Sequence, residues 1–364
     1  MSRIKIIEVI SGLGLGGAEM SLVTRLRYQP KNFTTKVFNL RPQLRGIESP
    51  VGVQEVSFSS NQFTLIFRLA KELSKEKPDI VVARTPLDLI RICIVSTILR
   101  KRSWLIVFEA HSKFITERKI FEKPILFLYK YCASQVDLTL AVSRSVMNGP
   151  LCIAHRNTVL HYLGADIEVD VKTLEEQYAP RLLFIGRLVK VKNPLGLIEA
   201  INQLNCKSEL PRQLVTVVGD GPLRDDISNR INRYHLQPVV SLLGAQKNIR
   251  GLLAKHSHLI SCSFSEGLPI TFFEAKLAGM RIITTPSGGG SEILDSRDTL
   301  LQDFSQEQLE KKILEILQEG AVDSLERRET CLKSQWMHAS RTSRRYYRIL
   351  TETLSTHRGT SLQP

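Results

Sequence analysis

Short apolar runs rich in β-branched residues alternate with stretches of helical period along the first half of the chain. Lys5–Ile10 reads as a strand, Ala18–Tyr28 as a helix and Thr35–Leu40 as a second strand. Phe63, Ile66, Phe67 and Ala70 recur at helical spacing, which predicts an amphipathic helix over Phe63–Ser74. Pro78 stops that helix, and Asp79–Ala83 follows as a strand. Leu105–Glu109 and Leu138–Val142 are further short strands. Asp166–Pro180 is polar, acidic and without period, and reads as a linker. The alternation then restarts, with strands at Arg181–Ile185, Leu214–Val218, His258–Cys262 and Arg281–Thr285. Helices are predicted over Pro194–Leu204 and Pro269–Ala278, the latter closed by Gly279. Such alternation means parallel sheets covered by helices, so the fold class is α/β with two doubly wound domains. Ligands of open α/β sheets sit at the carboxyl ends of strands, so the loops there are where chemistry is sought.

A length of 364 residues suits two domains, each able to bury its own core. The six cysteines contain no C-x-x-C pair. Cys152 with His155, and His258 with Cys262, fall in different predicted domains, so neither a zinc site nor a disulfide framework is supported. Glu8 interrupts the apolar run at the amino terminus, which argues against a signal peptide. The most apolar stretch, Leu87–Leu99, carries Asp88 and Arg91 and is too short to span a bilayer. The net charge of +14 leans toward the first half. It fits nucleic acid, anionic lipid or anionic small molecules. No zinc finger, RRM-like signature or helix-turn-helix accompanies it, so no nucleic acid is expected.

Several loops carry candidate chemistry. Gly12, Gly14 and Gly17 form a G-x-G-x-x-G that opens a helix, where backbone amides favour an anion. A dinucleotide fold wants an acid at the end of the second strand, and that strand ends in Asn39-Leu40-Arg41 instead. Arg187 and Lys192 lie on one loop before a helix, where two cations can clamp a diphosphate without a metal. In Ser265-Glu266-Gly267-Leu268-Pro269, Gly267 permits close backbone approach and Pro269 suits the first helical position. The N–H groups near Leu268 and Ile270 then face an anion. Glu274 lies one to two turns into a largely buried helix and can accept hydrogen bonds from vicinal sugar hydroxyls. Glycine loops also follow other strands, at Gly219-Asp220-Gly221-Pro222 and Gly288-Gly289-Gly290.

Taken in order, Gly16-Gly17-Ala18-Glu19, Gly186-Arg187 with Lys192, Gly219-Asp220-Gly221-Pro222, and Glu266 with Glu274 followed by Gly288-Gly289 and Glu292 resemble the retaining family-4 glycosyltransferases of the GT-B fold, the glycosyl transferases group 1. The resemblance covers roughly residues 4–350. It implies two Rossmann-like domains facing a central cleft: 1–170 for the acceptor and 171–335 for the nucleotide-sugar donor. It also implies a helix over 336–355 returning to the first domain, ahead of a disordered tail, 356–364. Arg187 and Lys192 would hold the donor diphosphate, Glu274 the ribose, and Gly17, Gly219, Gly267 and Leu268 would complete the donor site. Glu266 would touch the donor sugar near the reacting carbon, and His111 would be a second sugar contact. Gly16, Glu19 and Arg84 would lie on the acceptor or interdomain loops. No metal and no cofactor are expected.

Three positions depart from the family's pattern. Leu163-Gly164 replaces Asn-Gly, Ala83-Arg84-Thr85 replaces a histidine-rich segment, and Asn193 stands where glycine is frequent. The basic residues Arg100, Lys101, Arg102, Lys113, Arg118, Lys119 and Lys123 cluster near the apolar Ile125–Tyr131. A basic surface beside apolar side chains suits anionic lipid. The expected function is transfer of a sugar from a nucleotide-sugar to a glycan or lipid-linked acceptor, in bacterial-type surface polysaccharide or lipopolysaccharide synthesis. The expected place is cytoplasmic, peripheral on the inner face of the membrane. A GT-B sugar-nucleotide epimerase and a basic nucleic-acid-binding protein are the competing readings.

Overall fold

The computed structural model describes residues 3–13, 16–42, 53–58, 62–100, 102–112, 128–129, 131–155, 157–168 and 180–359. The chain divides into two units, Met1–Gly164 with Ala339–Pro364, and Ala165–His338.

The first unit holds seven parallel strands: β1 (Ile4–Ile10), β2 (Phe33–Asn39), β3 (Gln54–Ser57), β4 (Ile80–Ala83), β5 (Leu105–Ala110), β6 (Leu138–Ala141) and β7 (Thr158–Leu160). Their order is β3-β2-β1-β4-β5-β6-β7. The direction of winding reverses between β1 and β4, so the loops that follow those two strands flank the crevice of the sheet. Ile6, Val82, Leu105 and Leu138 build one face of the core. The helix Ala339–His357 closes it with Tyr346, Tyr347, Leu350 and Leu354. The Leu87–Leu99 stretch forms the helix Pro86–Ile98, capped by Thr85, whose hydroxyl accepts from the Asp88 N–H. No helix among the described residues is long and apolar enough to cross a membrane.

The second unit holds six parallel strands: β8 (Leu182–Ile185), β9 (Val215–Val218), β10 (Val240–Gly244), β11 (His258–Ser261), β12 (Arg281–Thr284) and β13 (Thr299–Leu300). Their order is β10-β9-β8-β11-β12-β13, which puts the reversal between β8 and β11. Leu182, Phe184, Leu197, Ile201, Val215 and Ile260 are among the residues that fill its core.

Two expectations about boundaries change. Just before the predicted linker Ala165 pairs with His338, and at its first residue the Asp166 carbonyl accepts from Arg250, so its start belongs to the second unit. Residues 169–179 of it lie outside the described residues. The predicted tail is ordered at its start. The last helix runs to His357, and Arg358 forms an ion pair with Asp79.

Candidate active site

In the second unit the reversal brings two loops together. The loop after β8 carries Gly186, the exposed Arg187 and a tight turn over Lys190–Lys192. It ends at Asn193, whose backbone is left-handed (φ 50°) and whose side chain caps the helix Pro194–Lys207 by accepting from the Gly196 N–H. A left-handed cap explains why glycine serves elsewhere and why asparagine is tolerated here. The loop after β11 carries Ser263 to Pro269. It is tied to the first by the Phe264 N–H, which donates to the Val191 carbonyl at 2.8 Å.

These loops place Lys192 and Glu266 in a direct ion pair. The Ser263 hydroxyl donates to the same Glu266 oxygen at 2.7 Å. The Glu266 backbone is fixed by its N–H to the Ser287 carbonyl at 2.8 Å. The Arg187 side chain is exposed and has no hydrogen bond or ion pair among the described residues. Pro269 sits one position earlier than predicted, as the cap of the helix Ile270–Leu277. Leu268 is buried, and the N–H groups of Leu268 and Ile270 have no acceptor among the described residues. The Glu274 carboxyl, one turn on, also has no hydrogen bond among the described residues. Burial pushes its carboxyl up to about 7. An unpartnered carboxyl, two free amides and two cations of which one is already paired form an anion-and-hydroxyl site.

Gly219 has a packing task as well. Its φ is +142°, and any side chain there would overlap the Gly186 carbonyl oxygen. Its missing side chain lets the loops after β8 and β9 lie against each other.

In the first unit, Gly16 caps the helix Gly17–Arg27, and the Glu19 side chain folds back over it. This is the third helical position, where a glutamate reaches back to the cap. Below this loop lies a buried charge network that the sequence reading missed. Arg25 bonds Glu8 at 2.7 Å and Glu109 at 2.6 Å. Arg84 bonds Glu8 at 3.1 Å and Glu109 at 3.1 Å. The Arg25 guanidinium also lies 3.6 Å over the Tyr346 ring. Burial alone would raise the Glu109 carboxyl, but Arg25 and Arg84 hold it well below the usual range. Arg84 opens the loop after β4, and its side chain is fully buried with its donors engaged in this network. His111 stands at the edge of this network, its Nε2 3.0 Å from Glu109. Signals existed in the sequence: Glu8 and Glu109 are acids inside otherwise apolar strands, where an unpaired charge is untenable.

Of the basic cluster, Lys101, Lys113, Arg118, Lys119 and Lys123 lie outside the described residues. Arg102 is paired with both oxygens of Asp137, and Arg100 is exposed.

Two doubly wound parallel sheets in one chain are the GT-B class, and the likeness to solved structures extends over nearly the whole chain. Anabaena Alr3699/HepE in complex with UDP-glucose superposes with a TM-score of 0.75 at 17% identity, over 96% of this chain and 100% of that one. Residues 167–333 match the sequence profile of the glycosyl transferases group 1. The chain carries a glycosyl transferases group 1 domain over nearly the whole of its second unit. It is 26% identical over 328 residues to a Campylobacter jejuni transferase, covering 86% of this chain and 88% of the relative. That relative is the GalNAc-alpha-(1->4)-GalNAc-alpha-(1->3)-diNAcBac-PP-undecaprenol alpha-1,4-N-acetyl-D-galactosaminyltransferase. A shorter match, 30% over 108 residues, reaches an Escherichia coli UDP-Gal:alpha-D-GlcNAc-diphosphoundecaprenol alpha-1,3-galactosyltransferase, over 29% of this chain and 28% of the relative.

Proposed function

We propose that the chain transfers a sugar from a nucleotide-sugar to a lipid-linked or glycan acceptor with retention at the anomeric carbon, as a family-4 enzyme that needs no metal. The observation that carries this is the cluster of Lys192, Glu266 and the free amides of Leu268 and Ile270 where the second sheet reverses. When the anomeric carbon–oxygen bond breaks, negative charge gathers on the leaving diphosphate. Lys192, Arg187 and the helix amides meet that charge, the task a metal ion performs in other sites. The acceptor oxygen forms the new bond, and its proton leaves to a phosphate oxygen. Glu266 faces the donor sugar, and Glu274 accepts the ribose hydroxyls. Donor diphosphate must compete with Glu266 for Lys192, so binding itself rearranges the pair.

The relatives' acceptors, which carry undecaprenol diphosphate in their names, favour a lipid-linked acceptor in surface polysaccharide or lipopolysaccharide synthesis. Lipid docking is also supported by the first unit's own surface. Ile94, Ile98, Leu128 and Tyr131 are exposed around a cavity of about 510 Å³ beside Arg100. Apolar side chains next to a cation suit an anionic bilayer at the inner face of the membrane. Flotation of the whole chain with anionic vesicles is expected, lessened by added salt. No flotation at low salt would end the membrane reading.

A nucleotide-release screen over UDP-, GDP- and ADP-sugars with lipid-linked acceptors tests the function. One donor is expected to turn over in an acceptor-dependent way, unchanged by EDTA, and with retained configuration in the product. Full activity in both Lys192→Ala and Glu274→Ala, or loss with EDTA, would refute the site as drawn.

A further inference from the structure

We propose that Cys93 and Cys132 form a reversible disulfide, and that closing the bond narrows the apolar cavity of the first unit and weakens its docking on lipid. The thiol chemistry rests on the first unit alone, and the effect on docking rests on the membrane reading above.

Cys93 lies on the helix Pro86–Ile98, and Cys132 lies in the helical residues 131–133. The Cys93 thiol donates to the Cys132 carbonyl at 3.7 Å. The two thiols are also hydrogen-bond partners of each other, and neither is in a disulfide. Each residue is only 1% exposed, yet both line the cavity of about 510 Å³. A packed core shuts out oxidants, whereas a cavity of that size admits a peroxide to the sulfurs. Sugar transfer uses neither thiol.

The shared hydrogen bond and burial raise the Cys93 thiol, while the same hydrogen bond lowers that of Cys132. Cys132 is therefore the sulfur that attacks. Its thiolate takes one oxygen of a peroxide, the O–O bond breaks, and the other oxygen leaves as water once protonated. Cys132 is then a sulfenic acid. The Cys93 sulfur attacks the Cys132 sulfur, the S–S bond forms, the S–O bond breaks, and a second water carries off the Cys93 proton. Two thiols have lost two electrons and the peroxide has gained them. A dithiol reverses the step by exchange and ends as a disulfide itself.

The cavity's walls come from both sides of the pair. Ile94 and Ile98 stand on the helix that carries Cys93, and Leu128 and Tyr131 on the side that carries Cys132. A covalent sulfur–sulfur bond is much shorter than a hydrogen-bonded contact, so oxidation draws the walls together at their base.

The test treats the full chain, carrying Cys206→Ser to remove the exposed thiol that would link chains, with hydrogen peroxide at neutral pH. Remaining thiols are blocked with N-ethylmaleimide and the cysteines mapped by mass spectrometry. A linked Cys93–Cys132 peptide pair, two hydrogens lighter than its reduced parts, is expected. Dithiothreitol is expected to restore both thiols; it leaves methionine sulfoxide in place, so reversal separates the bond from other oxidation. Flotation with anionic vesicles is expected to fall several-fold on oxidation and to recover on reduction. With Cys93→Ala or Cys132→Ala added, flotation is expected to ignore peroxide. Both thiols still free after peroxide, a bond to Cys152 instead, or flotation that oxidation does not move would overturn the proposal. Should an alanine variant fail to fold, the mass map and flotation of the parent chain decide. A reduced chain that never floats defeats the membrane reading, and the disulfide is then judged on the mass map alone.

Discussion

At the residue scale, Glu274 combines burial with an unpartnered carboxyl. Its pKa is raised to about 7, so in the empty site it is half protonated near neutrality. Hydroxyls donate to the charged form, so donor binding pulls a proton off. Binding of the nucleoside diphosphate is therefore expected to tighten as pH rises from about 6 to 8, with proton release visible as a buffer-dependent heat. In Glu274→Gln both effects should vanish. The stability sign is opposite. A carboxyl whose pKa is raised on folding favours the folded state most below its unfolded value, near 4.3, and that contribution is lost as pH rises through about 7. The wild-type Tm should fall across that window more than the Tm of Glu274→Gln. Lys192 and Glu266 present the other extreme, two opposite charges held in a direct ion pair.

At the scale of elements, the helix Ile270–Leu277 is aimed by its buried side. Lys276 is almost fully buried and pairs with Asp298 at 2.6 Å and Asp295 at 2.8 Å. Removing one partner of such a pair strands the others, and Lys276→Met is expected to cost about 3–5 kcal/mol in denaturant unfolding. A cost below about 1 kcal/mol would mean the pair does not hold the helix. Elements also show what the sequence made legible. The interior strands of both sheets lie within a residue or two of their predicted positions, because strands buried on both faces read as short runs of mostly apolar, β-branched residues. The four strands it did not reveal, β3, β7, β10 and β13, are the outer strands of the two sheets. Gln54–Ser57 is polar and mostly part-exposed, and Thr299–Leu300 is only two residues long, so neither carries a period that can be read. The donor-side loops were legible because glycine, proline and charge mark strand-to-helix turns. Ser263, which holds Glu266, and the partners of Glu8 and Glu109 were not, since they meet only through the fold.

At the scale of the whole molecule, the chain builds one unit, then the second, and returns to complete the first. The returning helix is part of the first core: Tyr347 meets Phe33 with ring centroids 4.8 Å apart, and Tyr346 lies under Arg25. Tyr347→Ala is expected to lower the stability of the first unit by about 3–5 kcal/mol. Hydrogen exchange should show the loss in β1, β2 and β4 and spare the strands of the second unit. Equal loss in both units would contradict the division. In the proposed function the second unit binds a nucleoside diphosphate without a metal, its diphosphate on Arg187 and Lys192 and its ribose on Glu274. Calorimetric titration of UDP, GDP and ADP into the whole chain, with EDTA present, tests it most directly. One nucleotide is expected to bind, and Arg187→Ala, Lys192→Ala and Glu274→Ala are each expected to weaken it by about 10- to 100-fold. Binding that needs a divalent metal, or that all three variants retain at wild-type strength, would contradict the account.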